Sequence, residues 1–316
     1  MTPSDGHVPV LLEPVLRWLQ PGPGQGVLDC TAGRGGHAEA MARAVGPSGW
    51  VVLVDRDPGN LAHASARVAA TGTPVRGHHG SFAECERAAV PAGGVGGRVD
   101  RVLADLGFAS NQVDDPDRGL SFMRDGPLDM RLDPGRGETA ADLLARLPER
   151  DLADAIFRLG EDPFARRIAR VIVDRRGSSP LRTTGQLASA VVAAYGPKAR
   201  FSRLHPATRT FMALRILVND ELGALRGLLD AVARGARDAG SGGWLAPGAR
   251  VAVISFHSLE DRLVKHAFAD LERAGLAPLL VRKPVEADDA EALSNPRSRG
   301  AKLRVVELAT DSAPGR

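Results

Sequence analysis

A doubly wound α/β sheet interrupted by a helical insertion is the fold this sequence predicts, on three observations. Short apolar runs alternate with helical stretches through the first third of the chain. The alternation stops between about Asp114 and His205, and a strongly apolar run then returns at Arg250 to Phe256. Continuous apolar runs separated by helices mark a parallel sheet covered on both faces.

Gly26 to Cys30 (GVLDC) reads as the first strand and leads into the glycine-rich TAGRGGHAEAMARAV, which turns helical. Trp50 to Asp55 (WVVLVD) is a second buried strand, followed by a helix over Asn60 to Ala70. A weaker strand lies near Val75 to Gly77, and a clear fourth at Val99 to Asp105. The middle of the chain has helical periodicity around Leu143, Leu144 and Leu147 and again over Phe164 to Val173. One long helix is predicted from about Thr208 to Arg237, then the strand RVAVISF and a helix over Leu259 to Ala274. Two last strands, near Leu279 to Arg282 and Lys302 to Leu308, lack a crossover helix between them and are expected to pair antiparallel. The expected organisation is a core over residues 1–113, a helical insert over 114–205, and the rest of the core over 206–316.

The chain of 316 residues has 43% hydrophobic and 25% charged residues, ordinary for a globular protein, which excludes wholesale disorder and fibrous classes. Aromatic content of 4% argues against recognition built mainly on aromatic platforms. Cys30 and Cys85 have neither the number nor the spacing of a disulfide framework or zinc site, and no metal site is expected. There is no signal-peptide pattern and no apolar stretch of spanning length, so a cytoplasmic protein without membrane association is expected. Charge is uneven: Arg158 to Arg215 carries a net +9 in a chain whose total is +3. That segment reads either as a polyanion-binding face or as a solvated helix surface.

The loop from Asp29 to His37 follows a strand and opens a helix, where glycines let backbone amides approach a nucleotide. Gly33, Gly35 and Ala38 satisfy a relaxed dinucleotide pattern, and Asp55 ends the next strand as a ribose-binding carboxylate would. Nicotinamide dinucleotide and S-adenosylmethionine therefore compete. Asp29 favours the second, since a carboxylate there attracts an ammonium group and repels a pyrophosphate. Asp105 ends the fourth strand, so Asp29, Asp55 and Asp105 fall at three strand ends, the side on which open α/β sheets bind ligands.

HVPVLLEPVL, DCTAGRGGHAEAM, VDRD, DLGFASNQVDDPDRGLSFMRDGPLDMRLD, HPATRTFMALRILVNDEL, VISFHSLEDRLVK and NPRSRGAKLR occur in that order. Together they closely resemble the bacterial 16S ribosomal RNA cytosine-N4 methyltransferase family, RsmH (earlier MraW), from His7 to about Leu308. The resemblance implies a class I, Rossmann-like S-adenosylmethionine-dependent methyltransferase core with an inserted helical substrate-recognition domain. It further implies action on cytidine 1402 of 16S rRNA, with the small ribosomal subunit as partner. The oligomeric state stays open, a homodimer included.

By motif, the resemblance places cofactor contacts at Gly35, Gly36, His37, Asp55, Phe82, Asp105 and Gln112, beside the Asp29 and Gly33 read from the loop. Ala109-Ser-Asn-Gln112 departs from the family's Ser-Ser-Pro-Gln, and Phe108 stands where a Val is common. Asp105 is the first candidate acceptor for the amino hydrogens of the target base, and His257, with Ser255, is expected beside it. The bland alternative gives Ser258 a capping role and His257 a structural one. Asp129 and Arg131 are expected to contact the base edge and backbone. Arg166, Arg167 and Arg170, with Arg175 and Arg176, are expected to hold phosphates, and Asn295, Arg297 and Lys302 to form a second basic edge. A dehydrogenase and a noncatalytic RNA-binding protein remain the rival readings.

Overall fold

The computed structural model describes residues 9–91 and 95–310; His7 and Val8 of the opening motif lie outside them. The chain forms two compact units, one from its first 107 residues together with Leu222–Arg316, the other Phe108–Glu221.

The first unit is built on a six-stranded sheet, β1 (Gly26–Asp29), β2 (Trp50–Asp55), β3 (Val75–His79), β4 (Val99–Asp105), β5 (Leu245–Ser255) and β6 (Lys302–Glu307), in the order β3-β2-β1-β4-β5-β6. All neighbours are parallel except β5 and β6. Alternate residues of the strands inside the sheet enter opposite cores, as the two-residue strand period requires. Val27, Val51, Leu53, Leu103 and Ile254 pack on α1 (Leu12–Leu19), α2 (Gly36–Val45) and α3 (Pro58–Ala69). Leu28, Val52, Val102, Val251 and Val253 face α4 (Cys85–Ala89) and, from later in the chain, residues 225–236 and 264–271. This is the doubly wound α/β class expected. Cys30 and Cys85 are both free and buried.

The second unit is all helical around its own core, with α5 (Ser110–Asp114), α6 (Ala140–Arg146), α7 (Glu149–Gly160), α8 (Ala165–Arg176), α9 (Thr184–Tyr195) and α10 (Ala207–Asn219). It begins earlier and ends later than residues 114–205, because α10 contributes Phe211 and Leu214 to this helical core rather than to the sheet.

Two further expectations are corrected. The single helix from 208 to 237 is two, α10 and α11 (Glu221–Asp238), broken where Asp220 takes a left-handed conformation (φ 45°) that short polar residues tolerate. After α12 (Ser258–Arg273), residues 279–282 form no strand. They reach β6 through one bridge, Leu279 to Val306, with another from Val285 to Leu303. The main antiparallel partner of β6 is β5. A short helix, α13 (Asp289–Ser294), lies between them in sequence.

Candidate functional site

β1, β2 and β4 are neighbours in the sheet, so their parallel register sets Asp29, Asp55 and Asp105 at the same, carboxyl-terminal edge. Asp29 is almost fully buried (1% exposed) and accepts the Thr31 amide at 3.1 Å. Burial, reinforced by the charge of Asp55, raises its carboxyl to about 7. Asp55 accepts the amides of Gly33 at 2.7 Å and Asp57 at 2.8 Å, and burial still raises it to about 6. Asp55 therefore organises the glycine loop directly.

Asp105 donates its amide to Thr31 Oγ1 at 2.6 Å. Its side chain is 24% exposed overall, but Oδ1 is enclosed and has no hydrogen-bond partner among the described residues. Burial, then the charges of Asp29 and Glu260, push this carboxyl well above the usual range. His37 Nδ1 stands 3.7 Å from Asp105 Oδ2, and its Nε2 lies 2.9 Å from the Val10 carbonyl, so the ring bridges the site to the start of α1.

The loop glycines have reasons within the protein. Gly35 is left-handed (φ 77°), and a Cβ there would lie 2.9 Å from Ala64 Cα of α3; one on Gly36 would lie 2.4 Å from Pro9 Cγ. Close packing, against α3 for Gly35 and against the segment before α1 for Gly36, thus accounts for both, and Gly33 supplies the amide that Asp55 holds.

Past β5, His257 itself is the N-cap of α12, its Nδ1 3.5 Å from the Glu260 amide, while Ser258 is the first helical residue. Its Nε2 lies 3.2 Å from Glu260 Oε1. Ser255 is buried with Oγ 3.4 Å from the Lys302 carbonyl, and the capping role expected of Ser258 falls to His257 instead. Glu260 was missed by sequence reasoning. It is buried at 3% exposure, accepts the Phe256 amide at 2.9 Å and acts electrostatically on Asp105. Its signal was the three-residue spacing from His257, which is that of a helix-start carboxylate. Phe82 opens the turn after β3 and packs, half-buried, on the core.

In the helical unit, Gln112 spends its side-chain oxygen on the Ala109 amide at 2.9 Å. Asp129 and Arg131 grip each other in a two-pronged pair at 2.8 and 2.7 Å. Arg166, Arg167 and Arg170 lie exposed on α8, Arg170 at 3.6 Å from Glu149. Arg176 is turned inward, donating to the carbonyls of Leu144 at 2.9 Å and Leu147 at 2.6 Å, so it closes the end of α6. In the first unit Asn295 ends α13 and Arg297 is exposed on the following turn; Lys302 lies 3.9 Å from Asp261.

None of Asp29, Asp55 and Asp105 pairs with a Lys or Arg among the described residues. Buried carboxylates held above their ordinary range attract a ligand that brings positive charge and hydrogen-bond donors, and oppose one that brings a pyrophosphate. An ammonium, a sulfonium and ribose hydroxyls match the orphaned Asp105 Oδ1 and the two other carboxylates.

A family model described as the MraW methylase family matches residues 4–309. A protein named ribosomal RNA small subunit methyltransferase H from Nitratidesulfovibrio vulgaris (strain Miyazaki F) is 46% identical over 98% of this chain and 87% of its own length. Proteins of the same name from Sorangium cellulosum and Syntrophobacter fumaroxidans are 47% and 43% identical, each over 96% of this chain and over 91% and 97% of their own lengths.

Proposed function

Because the chain belongs to the MraW methylase family, we propose that this methyltransferase uses S-adenosylmethionine to methylate N4 of a cytidine in 16S rRNA of the small ribosomal subunit, in the cytoplasm. The family's cytidine 1402 is the target we infer. The observation that carries the reading is the cluster of three carboxylates around the glycine loop, none of them beside a Lys or Arg among the described residues, with Asp105 Oδ1 accepting no hydrogen bond from those residues.

S-adenosylmethionine, when bound, supplies a methyl group activated by a positively charged sulfur. Asp29 attracts the ammonium end, Asp55 accepts from the ribose hydroxyls while keeping Gly33 in place, and Phe82 offers a flat apolar wall for the adenine. The cytosine amino nitrogen is a weak nucleophile, because its lone pair is delocalised into the ring. Alignment of nitrogen with the methyl group is therefore the main task. Asp105, in its ionised form, accepts a hydrogen bond from the amino group and takes the proton that N4 loses as the methyl group passes to N4 from sulfur, the S–C bond breaking and the sulfur leaving as a neutral thioether. His257, held against Glu260, is the second candidate acceptor. The target base has to leave its helix, since N4 pairs within a duplex. Arg166, Arg167 and Arg170 hold phosphates of the RNA.

The test is nucleoside mass analysis of 16S rRNA from cells with and without the protein, alongside thermal shifts of the purified protein. Loss of N4-methylated cytidine and stabilisation by S-adenosylmethionine but not NAD are expected. Unchanged rRNA nucleosides, or stabilisation by NAD alone, would overturn the reading.

A further inference from the structure

Residues 175–219 contain no Asp or Glu, yet carry seven arginines and one lysine. Within this run, a turn over Gly196–Phe201 and the five residues after it join α9 to α10. Phe201 there is 79% exposed and Leu204 59%. Phe201 is the most exposed of the chain's nine Phe, ahead of Phe157 at 62% and Phe108 at 40%, although burial is the favourable fate of each.

The segment is held at both ends. Tyr195, just before it, is buried with its hydroxyl 3.0 and 3.1 Å from the carboxylate oxygens of the fully buried Asp162. His205, at its end, stacks on Phe122 (centroids 4.6 Å, planes 29° apart) and accepts the Ala207 amide at 3.2 Å. Between these anchors the Arg200 guanidinium lies 5.6 Å from the Phe201 ring centre, and Lys198 and Arg203 are exposed within three residues of the ring. Lys198 is itself steadied 5.2 Å over the Phe164 ring.

We propose that Phe201 is a stacking platform for an unpaired nucleobase of RNA, with Lys198, Arg200 and Arg203 holding the phosphates on either side of it. The proposal rests on the reading above that RNA is the substrate. An exposed ring among cations, with no acid for many residues in either direction, is the arrangement by which proteins bind single strands: the ring takes a base face and the cations follow the backbone. A second copy of this surface is disfavoured, because the like charges of the segment would face each other and residues 175–219 hold no carboxylate to offset them. Low aromatic content fits one platform at a defined nucleotide, not a row of them.

The experiment compares full-length parent, Phe201→Ala, Phe201→Trp and the pair Arg200→Gln with Arg203→Gln. It measures binding of a fluorescein-labelled single-stranded RNA of about 12 nucleotides carrying the target sequence, and of the same RNA annealed to its complement. Phe201→Ala is expected to weaken single-strand binding about 5- to 100-fold, the range of base–aromatic stacking, and Phe201→Trp to restore it. The duplex should be little affected. The arginine pair should instead flatten the dependence of affinity on salt, while Phe201→Ala leaves that slope alone. S-adenosylmethionine affinity should be the same in all four, which separates a contact from a folding defect. Single-strand affinity unchanged in Phe201→Ala, while the parent still methylates small subunits, would overturn the platform and leave the proposed function standing. An altered oligomer mass with unaltered RNA affinity would also overturn it, assigning the ring to self-association. A parent that neither binds RNA nor methylates subunits would remove both.

Discussion

Thr31 accepts the amide of Asp105 through its hydroxyl at 2.6 Å, which ties the residues just after β1 to the last residue of β4. Thr31 also gives its own amide to Asp29, so one side chain and one amide set two of the three strand-end carboxylates. Thr31→Val keeps the shape and removes the acceptor. It should cost about 1–3 kcal/mol of stability, the range for a buried donor left unsatisfied, and should lower kcat by misplacing Asp105. Thr31→Ser should keep most of both. Denaturant unfolding and methyl-transfer rates on the three proteins check this, and a valine variant as stable and active as the parent would refute it.

Asp29 has the clearest conflict between stability and ligand binding. Its carboxyl is buried and raised to about 7, so above neutrality the folded protein holds a charge it solvates poorly. Asp29→Asn should therefore leave the ligand-free protein at least as stable at pH 8, and more stable by up to about 3 kcal/mol, while weakening S-adenosylmethionine binding tenfold or more. Calorimetry of both proteins decides it. A variant that is destabilised yet binds normally would show that Asp29 supports the fold only.

Acid should act in opposite directions on the ligand-free fold and on ligand binding. Asp29 at about 7 and Asp55 at about 6 lie above their ordinary value of 3.8, so between those limits the folded state binds more protons than the unfolded one. Their contribution to stability is fully present below the ordinary value and is lost as pH rises through 6 and then 7. The melting temperature of the ligand-free protein should thus gain from this pair as pH falls from 8 to 6. Affinity for the cationic ligand should fall over the same interval, by up to about tenfold per pH unit for each carboxylate that must ionise. Calorimetry in buffers of different ionisation enthalpy should detect proton release on binding near pH 7. Binding that is independent of pH and releases no protons would exclude these carboxylates as ligand contacts.

Two sets of arginines on α8 should separate cleanly. Arg166→Gln with Arg170→Gln removes exposed cations, and the loose 3.6 Å approach of Arg170 to Glu149 contributes little. RNA affinity should fall, and its salt slope should flatten by about 0.7 for each single-strand phosphate that the variant no longer neutralises. Arg176→Ala should leave the slope unchanged and instead destabilise the protein by about 1–3 kcal/mol, because the carbonyls of Leu144 and Leu147 lose their donor. Binding to small subunits at several salt concentrations, paired with unfolding curves, distinguishes the two. A constant slope in the double variant would remove α8 from the RNA surface.

By itself the sequence determined the elements whose signals are local. Apolar runs ending in Asp29, Asp55 and Asp105, a glycine loop opening a helix, and the loss of strand alternation after Asp105 were enough to place the sheet, the site edge and a helical insertion. These signals survive folding because strand period and turn chemistry act over a few residues. Tertiary structure alone decided where polar side chains spend their hydrogen bonds, since their partners are remote in the chain. Asp105 meets Thr31 across 74 positions and Arg176 reaches Leu144 across 32. Glu260 reads as an ordinary first-turn carboxylate until α12 packs on the sheet and buries it beside Asp105. Likewise a run of arginines has one charge in sequence and two fates in the fold. Outward-facing members of α8 stay in water, while Arg176 turns to unpaired carbonyls, because buried backbone groups without partners cost more than one guanidinium withdrawn from solvent.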